Sequence, residues 1–209
     1  MSSPEPVPTP LPPIVAILRG VRPDEVLDIA AALVEAGIRA IEVPLNSPDP
    51  LESIGRLCTA YGDIALCGAG TVLSAHAVDQ VAAVGGRLIV TPNTDPDVIG
   101  RAIGLGLTVM PGFATPTEAL AAVKAGATAL KLFPAGTFGP GHLKAVRDVL
   151  PRDVRVYAVG GVGVANLEPW RAAGVAGIGV GGDLYRPGAS AQEVGAKAAA
   201  LVAAWNAQA

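Results

Sequence analysis

Histidine and cysteine are scarce in this chain, with two of each among 209 residues. Cys58 and Cys67 are too few for a disulfide framework, which points to reduced packing residues in a cytoplasmic protein. His76 and His142 lie far apart, without HxxxH or CxxC spacing near either. Both fall near expected helix starts and should face solvent. No metal site of His/Cys type is expected, which leaves open one built mainly of carboxylates. Charged residues make up only 16% of the chain, the net charge is −3, and there is no basic run. Nothing therefore draws the protein to nucleic acid or to an anionic membrane, and an anionic ligand must be held by local geometry. No apolar run long enough to cross a bilayer escapes interruption by charge or glycine. The opening "MSSPEPVPTPLPP" has six prolines, one acid and no basic residue, so it is not a secretory signal. We expect residues 1–13 to be an extended or disordered lead-in and residues 14–209 to form one domain.

What is abundant is apolar surface, 51% of residues, with 26 glycines as punctuation. From Ile14 a rhythm sets in: a short β-branched run, an alanine-rich amphipathic run, a glycine, then the next short run. Strands are predicted at 14–18, 38–44, 64–70, 87–91, 107–111, 128–133, 154–159 and 176–181. Helices are predicted at 23–36, 50–61, 75–84, 95–105, 116–125, 140–149, 164–173 and 190–206. Proline and acids mark helix starts at 23–25, 95–97 and 115–118, where backbone N–H groups lack partners. Glycines follow the helix ends at 37, 85, 126 and 174. Eight such units imply a compact, single-domain (β/α)8 TIM barrel, with a doubly wound open sheet as the alternative. In a barrel, chemistry gathers at the C-terminal ends of the strands.

Strand parity makes two charges informative. In "RAIEVPL", Ile41, Val43 and Leu45 share one face and Ala40, Glu42 and Pro44 the other. In "TALKLFP", Leu130 and Leu132 share one face and Ala129, Lys131 and Phe133 the other. The aliphatic faces must meet the helices, so Glu42 and Lys131 point into the barrel. A lone buried charge costs several kcal/mol. One reading is a structural ion pair. The other is a Schiff-base lysine with a carboxylate proton shuttle, since burial favours the neutral, nucleophilic amine.

Gly160-Gly161 and Gly181-Gly182 end the seventh and eighth strands, where barrels often hold phosphate on backbone N–H groups. Both pairs are expected to use close approach and positive φ. Without a ligand, they are simply glycine-rich strand exits. Arg19 follows the first strand and is either a fork for a carboxylate, with Thr71 as hydroxyl partner, or a rim arginine paired with a helix acid. Asn46 and Ser47 are turn residues or ligand contacts. Trp170 and Trp205 sit at apolar-face spacing and should pack.

In order along the chain stand "IEVPLNSP", "GAGTVL", "VTPN", "PGFAT", "ALKLFPA", "FGP", "AVGGV" and "GGDLYR". With these the chain resembles the 2-keto-3-deoxy-6-phosphogluconate/galactonate aldolase family over nearly everything after Pro13. The resemblance implies a metal-independent class I aldolase that needs no cofactor. Its substrate class is a 2-keto-3-deoxy-6-phospho sugar acid, cleaved to pyruvate and glyceraldehyde 3-phosphate in carbohydrate breakdown. It implies Lys131 as Schiff-base nucleophile and Glu42 as general acid/base. It places Thr71 near the pyruvyl carboxylate and Gly160, Gly161, Gly181 and Gly182 near phosphate, and adds Pro92 and Phe133 to the substrate contacts. It also implies a homotrimer. Arg19 in "ILRG", Asn46 where the gluconate branch has an arginine, and Val159 where that branch has a threonine favour the galactonate branch. Gly182 departs from a more usual serine. The alternatives are an aldolase for the gluconate epimer or for 4-hydroxy-2-oxoglutarate, a phosphosugar epimerase, and a non-catalytic phosphate-binding barrel.

Overall fold

The computed structural model of the protein describes residues 11–207. The strands are β1 (Ile14–Ile17), β2 (Ala40–Pro44), β3 (Leu66–Gly70), β4 (Leu88–Val90), β5 (Thr108–Met110), β6 (Gly112–Phe113), β7 (Ala129–Leu132), β8 (Arg155–Val159) and β9 (Gly177–Val180). The helices are α1 (Val26–Glu35), α2 (Pro50–Tyr61), α3 (Ala75–Ala83), α4 (Pro96–Gly104), α5 (Pro116–Lys124), α6 (Ala135–Arg147), α7 (Leu167–Ala172) and α8 (Ala191–Asn206). All paired strands run parallel, in the order β5-β4-β3-β2-β1-β9-β8-β7-β6.

The ring closes through the chain itself. β5 falls within the fifth predicted strand, 107–111, and β6 lies just beyond its predicted end; Pro111, which has no N–H to give to a ladder, separates the two. Met110 O accepts from Thr91 N at 3.3 Å on one side, and Pro111 O accepts from Lys131 N at 2.9 Å on the other. The fold is therefore the expected eight-unit barrel, with nine strand segments rather than eight.

Alternation along each strand separates two cores. Ile41, Val43, Leu130, Leu132, Val156 and Ile178 face the helices and join the larger cluster. Val15, Ala40, Leu66, Leu88, Val90, Met110, Ala129, Tyr157 and Val159 fill the barrel interior together with Leu11. Removing each large aliphatic side chain from water contributes about 1.5–3 kcal/mol. The N-terminal end of the barrel is closed by residues 11–13. Leu11 O accepts from the Tyr157 hydroxyl at 2.7 Å and from an Arg155 guanidinium nitrogen at 2.8 Å, and Pro13 O accepts from Ile178 N at 2.8 Å. The rest of the expected lead-in, residues 1–10, lies outside the described residues.

Helix starts follow the sequence signals closely. The Asp95 carboxylate accepts from Asp97 N and Val98 N ahead of α4, and Thr115 and Glu118 form a reciprocal capping box ahead of α5. Three helices differ from expectation. α1 begins at Val26, because Glu25 turns its carboxylate back onto Arg22 N and makes a separate turn of residues 22–25. α6 begins five residues earlier than expected and is interrupted at Gly139, at φ 79°, immediately before Pro140. The predicted helix 164–173 splits into a 3-10 turn, Val164–Asn166, and α7, because Asn166 spends its side chain on the preceding loop. Trp170 and Trp205 are buried as expected. His76 is exposed as expected. His142 is half-buried instead, with Nε2 2.7 Å from Ala114 O and its ring against Phe138. Cys67 is buried and Cys58 half-buried, both as free thiols; burial pushes them up to about 12 and about 11, which suits inert packing. Among the described residues no helix is long and apolar enough to cross a membrane.

Candidate functional site

Glu42 comes from the middle of β2 and Lys131 from β7, and both are more than nine-tenths buried inside the barrel. Ordinary surface pairing does not hold them. The ion pairs among the described residues are Arg22 with Asp24 and Glu25, Arg56–Glu52, Arg101–Asp79 and Lys197–Glu193, and none joins Lys131 to Glu42 within 4.0 Å. Glu42 Oε2 is fully buried without a hydrogen-bond partner. Lys131 Nζ lies 4.8 Å from the centroid of the Phe133 ring, which stands beside it on the same strand face. Burial pushes the Glu42 carboxyl up to about 7, against the opposing charges of Lys131 and Arg19. Burial also pushes the Lys131 ammonium down to about 8; Glu42 opposes this and Arg19 adds to it. An acid and an amine that both titrate near neutrality are equipped to trade protons there.

Arg19 is exposed at the end of β1, and one guanidinium nitrogen donates to Asn46 Oδ1 at 2.6 Å. Its partner is thus a turn amide, not a helix acid, and its planar fork keeps donors for an anion. Ser47 is buried and accepts from Gly20 N at 2.9 Å. Asn46 and Ser47 are therefore not idle turn residues, since together they tie the loop after β2 to the loop after β1. Thr71 follows β3 at φ 56°. A β-branched residue in the left-handed region is strained by about 1–3 kcal/mol, and such strain collects at functional sites. Pro92 follows β4 and is half-buried; its carbonyl leaves no room for a side chain at position 112.

The two glycine pairs differ. Gly160 and Gly161 both have positive φ, at 89° and 75°. Gly136 N donates to Gly160 O at 2.8 Å, and the Gly136 and Gly161 backbones nearly touch. Asn166 pins the same loop, donating to Gly161 O at 2.8 Å and accepting from Gly163 N at 2.9 Å. Gly181 and Gly182 do not have positive φ, contrary to expectation. Their segment instead makes one helical turn, with Leu184 N and Tyr185 N both donating to Gly181 O. The Tyr185 hydroxyl donates to Glu25 Oε1 at 2.9 Å and anchors that turn to the start of α1. Among the described residues, the N–H groups of Gly161, Val162, Gly182 and Asp183 have no protein acceptor. A Cβ at Gly182 would come no closer than 3.9 Å to a neighbour, so a serine would fit there. Val159 precedes the first pair, faces the interior and is buried.

Asn166, Tyr185 and Gly70 escaped the sequence reading. The signal for Gly70 was present: two glycines of equal parity in "CGAG" mark close approach across a strand. Among the described residues, no group of three or more His, Cys, Asp or Glu side chains is placed to hold a metal ion.

A family model described as KDPG and KHG aldolase matches residues 10–196. The 2-dehydro-3-deoxy-6-phosphogalactonate aldolase of Escherichia coli is 53% identical over 93% of this chain and 95% of its own length. A solved structure described as native KDPGal superposes with a TM-score of 0.94 at 52% identity, covering 97% of this chain and 98% of that one. A KDPG aldolase from Legionella pneumophila, solved with pyruvate captured as a covalent carbinolamine, superposes with a TM-score of 0.82 at 26% identity, covering 90% and 93%.

Proposed function

The chain belongs to the KDPG and KHG aldolase family, and from that premise we propose that it cleaves 2-dehydro-3-deoxy-6-phosphogalactonate to pyruvate and D-glyceraldehyde 3-phosphate. The observation that carries the mechanism is a buried lysine and a buried carboxyl, unpaired with each other, facing one interior. Neutral Lys131 attacks the C2 ketone, and loss of water from the carbinolamine gives an iminium. Glu42 delivers the proton that leaves with that water. The Glu42 carboxylate, its proton given up, takes the proton of the C4 hydroxyl, the C3–C4 bond breaks, and its electrons move into the iminium as an enamine. Glyceraldehyde 3-phosphate departs. Glu42 returns that proton to C3, and hydrolysis of the second iminium frees pyruvate and Lys131. Arg19 and Thr71 take the carboxylate, Pro92 and Phe133 wall the reacting carbons, and the N–H groups around Gly161 and Gly182 take the phosphate.

The two C4 epimers of the substrate separate at Val159. With phosphate on the glycine loops and C2 at Lys131, the C4 hydroxyl passes this side chain. A site that hydrogen-bonds a hydroxyl discriminates better than one that only fits it, and valine has no donor. The parent is expected to cleave the galactonate epimer well. Val159→Thr should shift kcat/KM toward the gluconate epimer by roughly 1 kcal/mol, about fivefold. Pyruvate release from both epimers, assayed side by side, checks this. A parent that cleaves only the gluconate epimer would overturn the substrate assignment, and an unmoved ratio would make Val159 a packing residue.

A homotrimer is part of the same proposal. A porous cage designed by fusing symmetric oligomeric domains contains a chain 52% identical over 96% of this one. Leu73 in the loop after β3, Phe138 in the first turns of α6 and Val164 in the 3-10 turn after β8 are exposed apolar side chains on segments that follow strands, on the side of the barrel where the site lies. Light scattering in solution should read three chains; a monomer mass would remove the trimer.

A further inference from the structure

Gly70 ends β3, where the register sets it beside Pro44 and two residues beyond Gly68, the partner of Glu42. A Cβ at this glycine would lie 2.0 Å from Glu42 Oε2, 2.3 Å from Cδ and 2.4 Å from Oε1. All three atoms of the carboxyl group thus occupy the space a side chain at position 70 would take. No hydrogen bond fixes Oε2, which is buried. Shape does the fixing instead.

We infer that Gly70 is a positioning residue for the aldol chemistry: it leaves the hollow in which the Glu42 carboxyl rests and thereby aims that group at the reacting carbons. This rests on the reading of Glu42 as the proton shuttle. The arrangement has a chemical logic. A donor that held the carboxylate by hydrogen bonding would stabilise its charged form and weaken it as a base. A hollow holds it without that cost. Glycine is required because contacts under 3.0 Å cannot persist, and the group that yields to a methyl is the end of a flexible side chain, not backbone.

The test is a cycle of Gly70→Ala, Glu42→Asp and the double variant, each checked for folding by thermal melting. Gly70→Ala should fold, still trap pyruvate at Lys131, and lose about a hundredfold in kcat, the scale of a 1 Å misplacement. Glu42→Asp should also lose turnover, because its carboxyl is drawn back. In the double variant the shorter acid clears the methyl, so the combined loss should be at least tenfold smaller than the product of the two single losses. Losses that simply multiply would overturn the inference, as would a Gly70→Ala variant that raises the KM for substrate and leaves kcat unchanged. If Gly70→Ala alone unfolds and the double variant folds, the same clash is seen as stability and the inference stands. If both unfold, the backbone needs this glycine for itself and the inference fails. A Glu42→Gln variant that keeps its activity would instead remove the proton-shuttle reading beneath it, which separates the two failures.

Discussion

Borohydride reduction in the presence of pyruvate is expected to add a reduced pyruvyl group to Lys131 alone, and Lys131→Met to lose aldol cleavage by at least about four orders of magnitude. Removing the nucleophile of a covalent mechanism costs on that scale. The chain has four lysines. Lys124 and Lys144 are exposed on helices, and Lys197 is tied to Glu193 on α8. Lys131 is the buried one of the four, and burial pushes its ammonium down to about 8. Burial therefore leaves far more of this amine neutral and able to attack near neutral pH than an ordinary surface lysine would have.

Methionine is a suitable replacement because it fills the volume without a charge. Removing Lys131 takes away a charge that opposes the effect of burial on Glu42, so that carboxyl is pushed up further and stays protonated, and the melt of the variant is recorded beside the parent's as the folding control. Loss of activity with an unchanged melt then reports chemistry and not unfolding. Adduct on Lys124 or Lys144, with none on Lys131, would sink the assignment.

The inward placement of Glu42 and Lys131 was legible because strand faces alternate without exception, and the aliphatic faces of β2 and β7 left only one direction for the charges. Helix starts were legible because Asp95, Thr115 and Glu118 cap locally. The closure at Pro111 was not, since a five-residue apolar run does not reveal where a barrel must break to change partners. The break at Gly139 was read as a helix start at Pro140, because one turn of helix before a Gly-Pro pair has no periodicity to show. Within the site, the missing parts were contacts between loops. Arg19 to Asn46 and Gly20 to Ser47 each span 27 residues of sequence, and Tyr185 to Glu25 spans 160. Such pairings arise only once the barrel is closed. A glycine pair at a strand exit permits positive φ without requiring it: Gly160 and Gly161 use it, whereas a tight turn around Gly181 O serves at the second exit.

Glu42→Gln is expected to keep the fold and some of the borohydride-trapped adduct while turnover falls by about 10²–10⁴, the usual contribution of a general acid–base group. The pH profile gives the sharper reading. In the parent, Glu42 titrates near 7 and Lys131 near 8, and the two share one proton between those values. Neutral amine with protonated acid is one distribution of that single proton, so kcat/KM should be greatest between about 7 and about 8. Below this window a second proton binds and the amine is lost as ammonium. Above it the last proton leaves and no acid remains to expel water from the carbinolamine. Glutamine removes the negative charge that raises Lys131, so the lysine value must fall further below 8. The residual activity of the variant should then rise through a single ionisation below 8 and stay level on the alkaline side. Initial rates over the pH range, with the melt of each protein as control, check both the size and the shape. A variant within threefold of the parent, or one that keeps the parent's two-sided profile, would make Glu42 a packing residue that happens to carry a charge.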